Sequence, residues 1–296
     1  MKRIKIALLV SLLVIFATVA VQADYPVKIM DDMGYLTELD EKPMRIVSLA
    51  PNTTEILFAL GAGERVVGRT DYCNYPEEAL DVPSVGGYSQ PSLETIMSVE
   101  PDLVLTSFGT PGEVIDQLRQ LDIKVVGYNP QTIDDVLNLI WEIGKVIDNR
   151  QEATALINDM KVRIQAVKDL VKGVEKPLVF WEVWHDPLYT AGPDTYINDL
   201  ITIAGGRNMA ADAKSGSWPV YSLEVLVARN PEVYIATKDQ WAGPGNIDER
   251  EGYEQIKAVK NDRVYVLNAD NVNRPGPRLV DGLEEVVRVI HPELFE

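Results

Sequence analysis

Asp148–Lys172 reads DNRQEATALINDMKVRIQAVKDLVK and contains neither glycine nor proline. Its apolar residues Ala153, Ile157, Met160, Ile164, Val167 and Val171 recur every three or four positions, the spacing of one helix face. Two capping boxes compete to start the helix, Asp148 with Gln151 or Asn149 with Glu152. Gly173 and then Pro177 end it. At ~1.5 Å rise per residue the stretch predicts a rod of about 37 Å, long for a globular protein. On either side of it the sequence follows one plan written twice.

The repeat shows in two echoes. Pro51-Asn52-Thr53 leads a helix that Gly61-Ala62-Gly63 stops, and Pro193-Asp194-Thr195 leads one stopped by Gly205-Gly206. Pro51 to Pro193 and Gly63 to Gly205 are both 142 residues apart. Ser92-Leu93-Glu94 stands before Pro101 as Ser222-Leu223-Glu224 stands before Pro231, with both Glu and both Pro offset by 130. Each of these prolines introduces an apolar strand, Leu103–Thr106 or Val233–Thr237. Two different echoes in the same order imply two related lobes joined by the long helix.

Within the first half, Val27–Met30 and Tyr35–Leu39 read as a hairpin, followed by strands at Arg45–Leu49, Val66–Gly68, Leu103–Thr106 and Ile123–Gly127. Helices are expected at Glu55–Leu60, where Asn52 with Glu55 fits a cap, at Ser92–Val99, Glu113–Leu121 and Ile133–Ile147. The second half restarts with the strand Leu178–Val183 and reaches the strand Val264–Leu267. Short apolar strands alternating with helices predict an α/β fold with parallel sheets covered on both faces.

Residues 1–23 read as a signal peptide. Lys2, Arg3 and Lys5 precede the apolar run Ile6–Val21, and Val21-Gln22-Ala23 suits cleavage after Ala23. A retained anchor is the alternative, but the run falls short of the roughly 20 residues needed to span. No cysteine near the cleavage site offers a lipid anchor. Export to the periplasm or the extracytoplasmic face of the membrane is expected. The net charge is −17, and −20 once those three cations leave with the leader, which disfavours nucleic acid as a partner.

Catalytic chemistry is thin. The chain has only two histidines, His185 and His291, and one cysteine, Cys73, so neither a thiolate–imidazole pair nor a transition-metal cage is indicated. Gly87-Tyr88-Ser89-Gln90-Pro91 lacks the second glycine of a nucleophile elbow. An exported enzyme on Rossmann-like lobes is therefore the remote alternative. Aromatic residues are more informative. Tyr72, Tyr75, Tyr88, Phe108, Trp184, Trp218 and Trp241 fall in loops or at strand ends, where α/β sheets bind ligands. Each could instead cover a lobe's core. Asp270-Asn271-Val272-Asn273-Arg274-Pro275 places a carboxylate and a guanidinium near the same crevice, either to orient a ligand or as a surface ion pair.

Arg45-Ile-Val-Ser-Leu-Ala-Pro-Asn-Thr-Thr-Glu-Ile-Leu-Phe-Ala-Leu-Gly-Ala-Gly63, Tyr72-x-x-Tyr-Pro76, Ser92-Leu-Glu94 and Pro101-Asp-Leu-Val104 resemble the ABC-transporter substrate-binding proteins for cobalamin and iron complexes. The resemblance runs from about Pro43 to Val289. It implies an N-terminal lobe at 24–147, an interlobe helix at 148–172 and a C-terminal lobe at 173–296, with the ligand between the lobes. It implies no enzymatic activity, no resident cofactor, a monomer, and a dimeric membrane permease as partner. Glu94 and Glu224 match the two glutamates, one per lobe, that meet arginines of that permease. Trp218, Asp270 and Arg274 are similar to ligand contacts of the cobalamin-binding branch, while Tyr88 stands where that branch has tryptophan. The expected ligand contacts are Pro51, Asn52, Tyr72, Tyr88, Phe108, Trp184, Trp218, Asp270 and Arg274. A corrinoid is the first expectation and a ferric siderophore or haem the second. A polyanionic siderophore would want clustered cations, for which the chain offers Arg274 and Arg278, with Arg69 and Arg207 as further candidates.

Overall fold

The computed structural model describes residues 25–240 and 242–296, so the leader at 1–23 and Trp241 lie outside the described residues. The chain opens with the antiparallel hairpin β1 (Val27–Met30) and β2 (Leu36–Leu39). Its turn is built on Asp31, whose carboxylate accepts from the amides of Met33 at 3.0 Å and Tyr35 at 2.8 Å. The same carboxylate accepts from Arg119 and from the Gly127 amide, which pins the hairpin to the first lobe.

That lobe continues through β3 (Ile46–Ser48), α1 (Pro51–Ala59), β4 (Val66–Arg69), α2 (Leu93–Ser98), β5 (Leu103–Ser107), α3 (Gly112–Gln120), β6 (Lys124–Tyr128) and α4 (Ile133–Val146). Its four strands are all parallel, in the order β4-β3-β5-β6. Every residue of β3 and β5 is buried, as a sheet covered on both faces requires.

The long helix, α5, runs Arg150–Leu170, roughly 31 Å at 1.5 Å per residue. It is shorter than the sequence implies because neither capping box forms. Asp148 adopts a left-handed conformation with φ +55°, and the Asn149 side chain turns away from its own helix. Asn149 accepts from Arg65 at 2.8 Å and donates to the Leu60 carbonyl at 2.7 Å, tying the start of α5 to the first lobe. Here α4 and α5 meet without a spacer: a Cβ on Gly144 would lie 2.5 Å from that of Ala153. Ala153, Met160, Ile164 and Val167 form the buried stripe of α5, four of the six positions whose spacing marks it as a helix.

The second lobe comprises β7 (Leu178–His185), β8 (Leu188–Thr190), α6 (Tyr196–Ile203), β9 (Arg207–Asn208), α7 (Leu223–Arg229), β10 (Val233–Lys238), α8 (Lys257–Lys260), β11 (Val264–Asn268), α9 (Ala269–Val272) and α10 (Leu279–Ile290). Its parallel strands lie in the order β9-β7-β10-β11. Counted along each lobe, both sheets share the order second-first-third-fourth, so the repeat seen in sequence is a repeat of topology. The second lobe departs in β8, which folds back antiparallel on the far half of β7. The second lobe is fastened to α5 by α10, where Arg163 reaches Asp281 at 2.6 Å and Glu284 at 2.9 Å.

Candidate functional site

In a sheet ordered this way, the two central strands send their connections to opposite faces, leaving a crevice beyond their C-termini. The two lobes place these crevices against each other around a cavity of about 620 Å³. From the first lobe come Pro51 and Asn52 after β3, Ser107 and Phe108 at the end of β5, Tyr72 and Tyr88 from the loops beyond β4, and Asn129–Gln131 after β6. The second lobe supplies Tyr196 at the start of α6, Ser215, Ser217 and Trp218 ahead of α7, Asp239 after β10, and Asp270, Asn273 and Arg274 after β11.

Eight of the nine residues expected from sequence line this cavity; Trp184 does not. Trp184 lines an adjoining hollow of about 200 Å³ that shares Asp239, Ala269 and Asn273 with the main cavity. The fold-back of β8 carries it there, since Trp184 pairs with Tyr189 and donates to the Asp186 carbonyl. Sequence reasoning missed Tyr196, Asn129, Gln131, Ser217 and Asp239. Asn129 and Asp239 each follow a strand end directly, a signal the sequence does contain.

The walls are aromatic on both sides. Tyr72 and Tyr88 meet edge to face at 6.5 Å, and Tyr196 and Trp218 at 6.4 Å. Phe108 stands 69% exposed, a large apolar ring open to the cleft. Tyr88 lies across the backbone of Gly109, and burial pushes its phenol up to about 12, so it is neutral at physiological pH.

The floor is ionic, and its organising residue is Glu55. The expected helix starts at Glu55 with Asn52 as its cap, but α1 begins at Pro51 and neither side chain caps it. Proline at the first helical position explains the earlier start, because its missing N–H costs nothing there. Both side chains instead reach the other lobe. Asn52 donates to the Pro275 carbonyl at 3.3 Å. Glu55, its side chain only 2% exposed, receives Arg274 at 3.1 Å and two donors of Arg278 at 2.6 and 3.0 Å. Arg274 is also held by Asp270 at 2.6 Å and by the Asn74 side-chain carbonyl at 2.7 Å. Arg278 stacks over the Tyr75 ring at 4.2 Å. The Asp270–Arg274 pair is thus neither an isolated surface bridge nor an open anion site. Arg69 and Arg207 are spent elsewhere, each donating to backbone carbonyls.

Glu94 and Glu224 are exposed, each one residue into its helix behind a serine whose hydroxyl accepts from the backbone. Their helices, α2 and α7, precede the equivalent central strands β5 and β10. At Glu224 the Ser222 hydroxyl beside it lowers the carboxyl below its usual range. Among the described residues no group of three or more His, Cys, Asp or Glu is placed to hold a metal. Cys73 is buried, and burial pushes its thiol up. Among the described residues no helix is long and apolar enough to cross a membrane.

Two α/β lobes of one topology, facing each other across an aromatic cavity and joined by the long helix α5, define a bilobal binding protein. The chain belongs to the family described as periplasmic binding protein, whose signature spans residues 46–271. It is 35% identical, over 92% of its length and 88% of the relative's, to an uncharacterized ABC transporter substrate-binding lipoprotein, YvrC, of Bacillus subtilis. It is 29% identical to a vitamin B12-binding protein of Vibrio cholerae, over 82% of this chain and 87% of that one. The periplasmic heme-binding protein RhuT of Roseiflexus superimposes with a TM-score of 0.76 at 28% identity, covering 84% of this chain and 98% of that one. Relatives of this kind are transport proteins, and a membrane permease is the implied partner.

Proposed function

We propose that the chain captures a corrinoid between its lobes and delivers it to an ABC permease outside the cytoplasm. The observation that carries the reading is the pairing, at one cavity, of aromatic walls with a floor whose arginine is already neutralised. A corrinoid is a broad macrocycle edged with amides. Its faces suit Phe108, Tyr88 and Trp218, and its amides suit Asn129, Gln131, Ser215 and Ser217. A polyanionic ferric siderophore calls for unpaired cations, and Arg274 is the sole Lys or Arg among the described lining residues. Haem is the second reading, favoured by the phenols of Tyr72, Tyr88 and Tyr196 at the cavity, since tyrosine can ligate haem iron. In the same proposal the lobes divide at the two ends of α5, and Glu94 and Glu224 dock the permease subunits.

The test is an equilibrium titration of the purified mature chain with cyanocobalamin, cobinamide and hemin, followed by tryptophan fluorescence and by ligand absorption. The corrinoid reading predicts saturable quenching by cyanocobalamin or cobinamide. Hemin or a ferric chelate binding while both corrinoids fail at high micromolar concentration would overturn it.

A further inference from the structure

Arg274 faces the ligand cavity, Arg278 stands behind it against a second hollow, and the Glu55 carboxylate joins the two. With Asp270 on the far side of Arg274, the cluster holds two carboxylates against two guanidinium groups and is formally neutral. Glu55 does not line the cavity itself. It comes from the other lobe and presents its charge from beneath the floor. Nothing in a ligand therefore needs to touch Glu55 for Glu55 to act on it.

We propose that Glu55 sets the charge class of ligand the cleft accepts. By neutralising Arg274 and Arg278 from behind, it keeps the floor unattractive to anionic chelates and suited to an electrically neutral macrocycle. The inference rests on reading the cavity as the ligand site. Without that carboxylate, Asp270 would be the one carboxylate still bonded to the pair of arginines, a step of one positive charge under the cavity. At an effective dielectric of about 20, one unit charge roughly 6 to 12 Å from a ligand charge changes affinity about a hundredfold to tenfold. Glu55 thus acts as a long-range specificity residue, and its side chain stays 2% exposed because its work is electrostatic rather than by contact.

The experiment compares the wild-type chain with Glu55→Gln, which keeps the shape and removes the charge. Probes are neutral cyanocobalamin and the triply negative ferric tris(catecholate) complex. Glu55→Gln should gain at least about tenfold in affinity for the ferric complex relative to cyanocobalamin. Adding Arg278→Gln restores neutrality and should abolish the gain. Arg278→Gln alone carries the opposite charge step. It should raise the affinity for aquacobalamin, which bears one more positive charge, relative to cyanocobalamin, and this arm serves if Glu55→Gln does not fold. An unchanged affinity of folded Glu55→Gln for the ferric complex overturns the proposal, as does a gain that persists in the double variant. An unchanged corrinoid ratio in Arg278→Gln does the same. Failure of the wild type to bind either corrinoid strikes the proposed function instead, because the change in ferric-complex affinity between variants still reads the charge effect.

Discussion

Gly109→Ala should loosen both the first lobe and the ligand site, although the new methyl group is the smallest possible addition. Gly109 has φ +102°, where an L side chain is strained by about 1 to 3 kcal/mol. Its Cβ would also fall 2.5 Å from Cε1 and 2.7 Å from the hydroxyl of Tyr88. That ring must swing away, losing its edge-to-face contact with Tyr72, a further ~0.5 to 1.5 kcal/mol. Together these predict a loss of about 1.5 to 4.5 kcal/mol and, at ~2 °C per kcal/mol for a chain of this size, a melting temperature lower by about 3 to 9 °C. Since Tyr88 walls the cavity, ligand affinity should fall with it. A double-mutant cycle separates the two causes. In a Tyr88→Ala background the collision is gone, so Gly109→Ala should cost only the backbone strain. Thermal melts and ligand titrations of the four proteins supply the numbers. A Gly109→Ala penalty equal in both backgrounds would refute the collision, and no penalty in either would refute the strain as well.

Trp218→Ala should weaken corrinoid binding by about 1 to 3 kcal/mol in a fluorescence or calorimetric titration, while Trp184→Ala, in the adjoining hollow, should cost less. Glu94→Ala with Glu224→Ala should leave ligand affinity and the melting temperature unchanged. It should cripple uptake by the permease in proteoliposomes, and Lys at both sites should be worse than Ala; normal uptake at equal protein would contradict the docking role. Tyr88 and Tyr25 both have phenols pushed up to about 12, Tyr88 by burial and Tyr25 by burial and then by the Asp148 carboxylate. Their folded values lie above the unfolded ~10, so the stability they contribute is complete below pH ~10 and is lost as pH rises through about 12. A phenolate absorbance titration of the native chain should show this late class, reduced by one in Tyr88→Phe.

The lobes and their order were legible because periodicity and terminators are local signals. Ala153 to Val171 marks α5, and the matched Ser-Leu-Glu and Pro-Asn-Thr or Pro-Asp-Thr segments mark equivalent helices in the two halves. The aromatic half of the site was legible for a related reason: loops after strand ends are where such sheets bind, whatever else differs. What escaped the sequence lies across the lobe junction. Sequence spacing pairs Glu55 with Asn52, three residues away, in a cap, whereas its partners stand 219 and 223 residues away. No local pattern links residues so far apart, and Arg274 and Arg278 lie in the non-helical segment between α9 and α10, where no period relates them. Strands β8 and β9 escaped because at three and two residues they are too short to show a period. Asn149 illustrates the converse failure, a sound capping residue drawn off by the competing demands of Arg65 and the Leu60 carbonyl.

The central claim is that one ligand is held by both lobes at once, and hydrogen exchange read by mass spectrometry with saturating cyanocobalamin tests it directly. The account predicts simultaneous protection around Tyr88 and Phe108 in the first lobe and around Trp218 and Ala269–Arg274 in the second, with α5 unchanged. Protection confined to one lobe, or none at saturation, would contradict it.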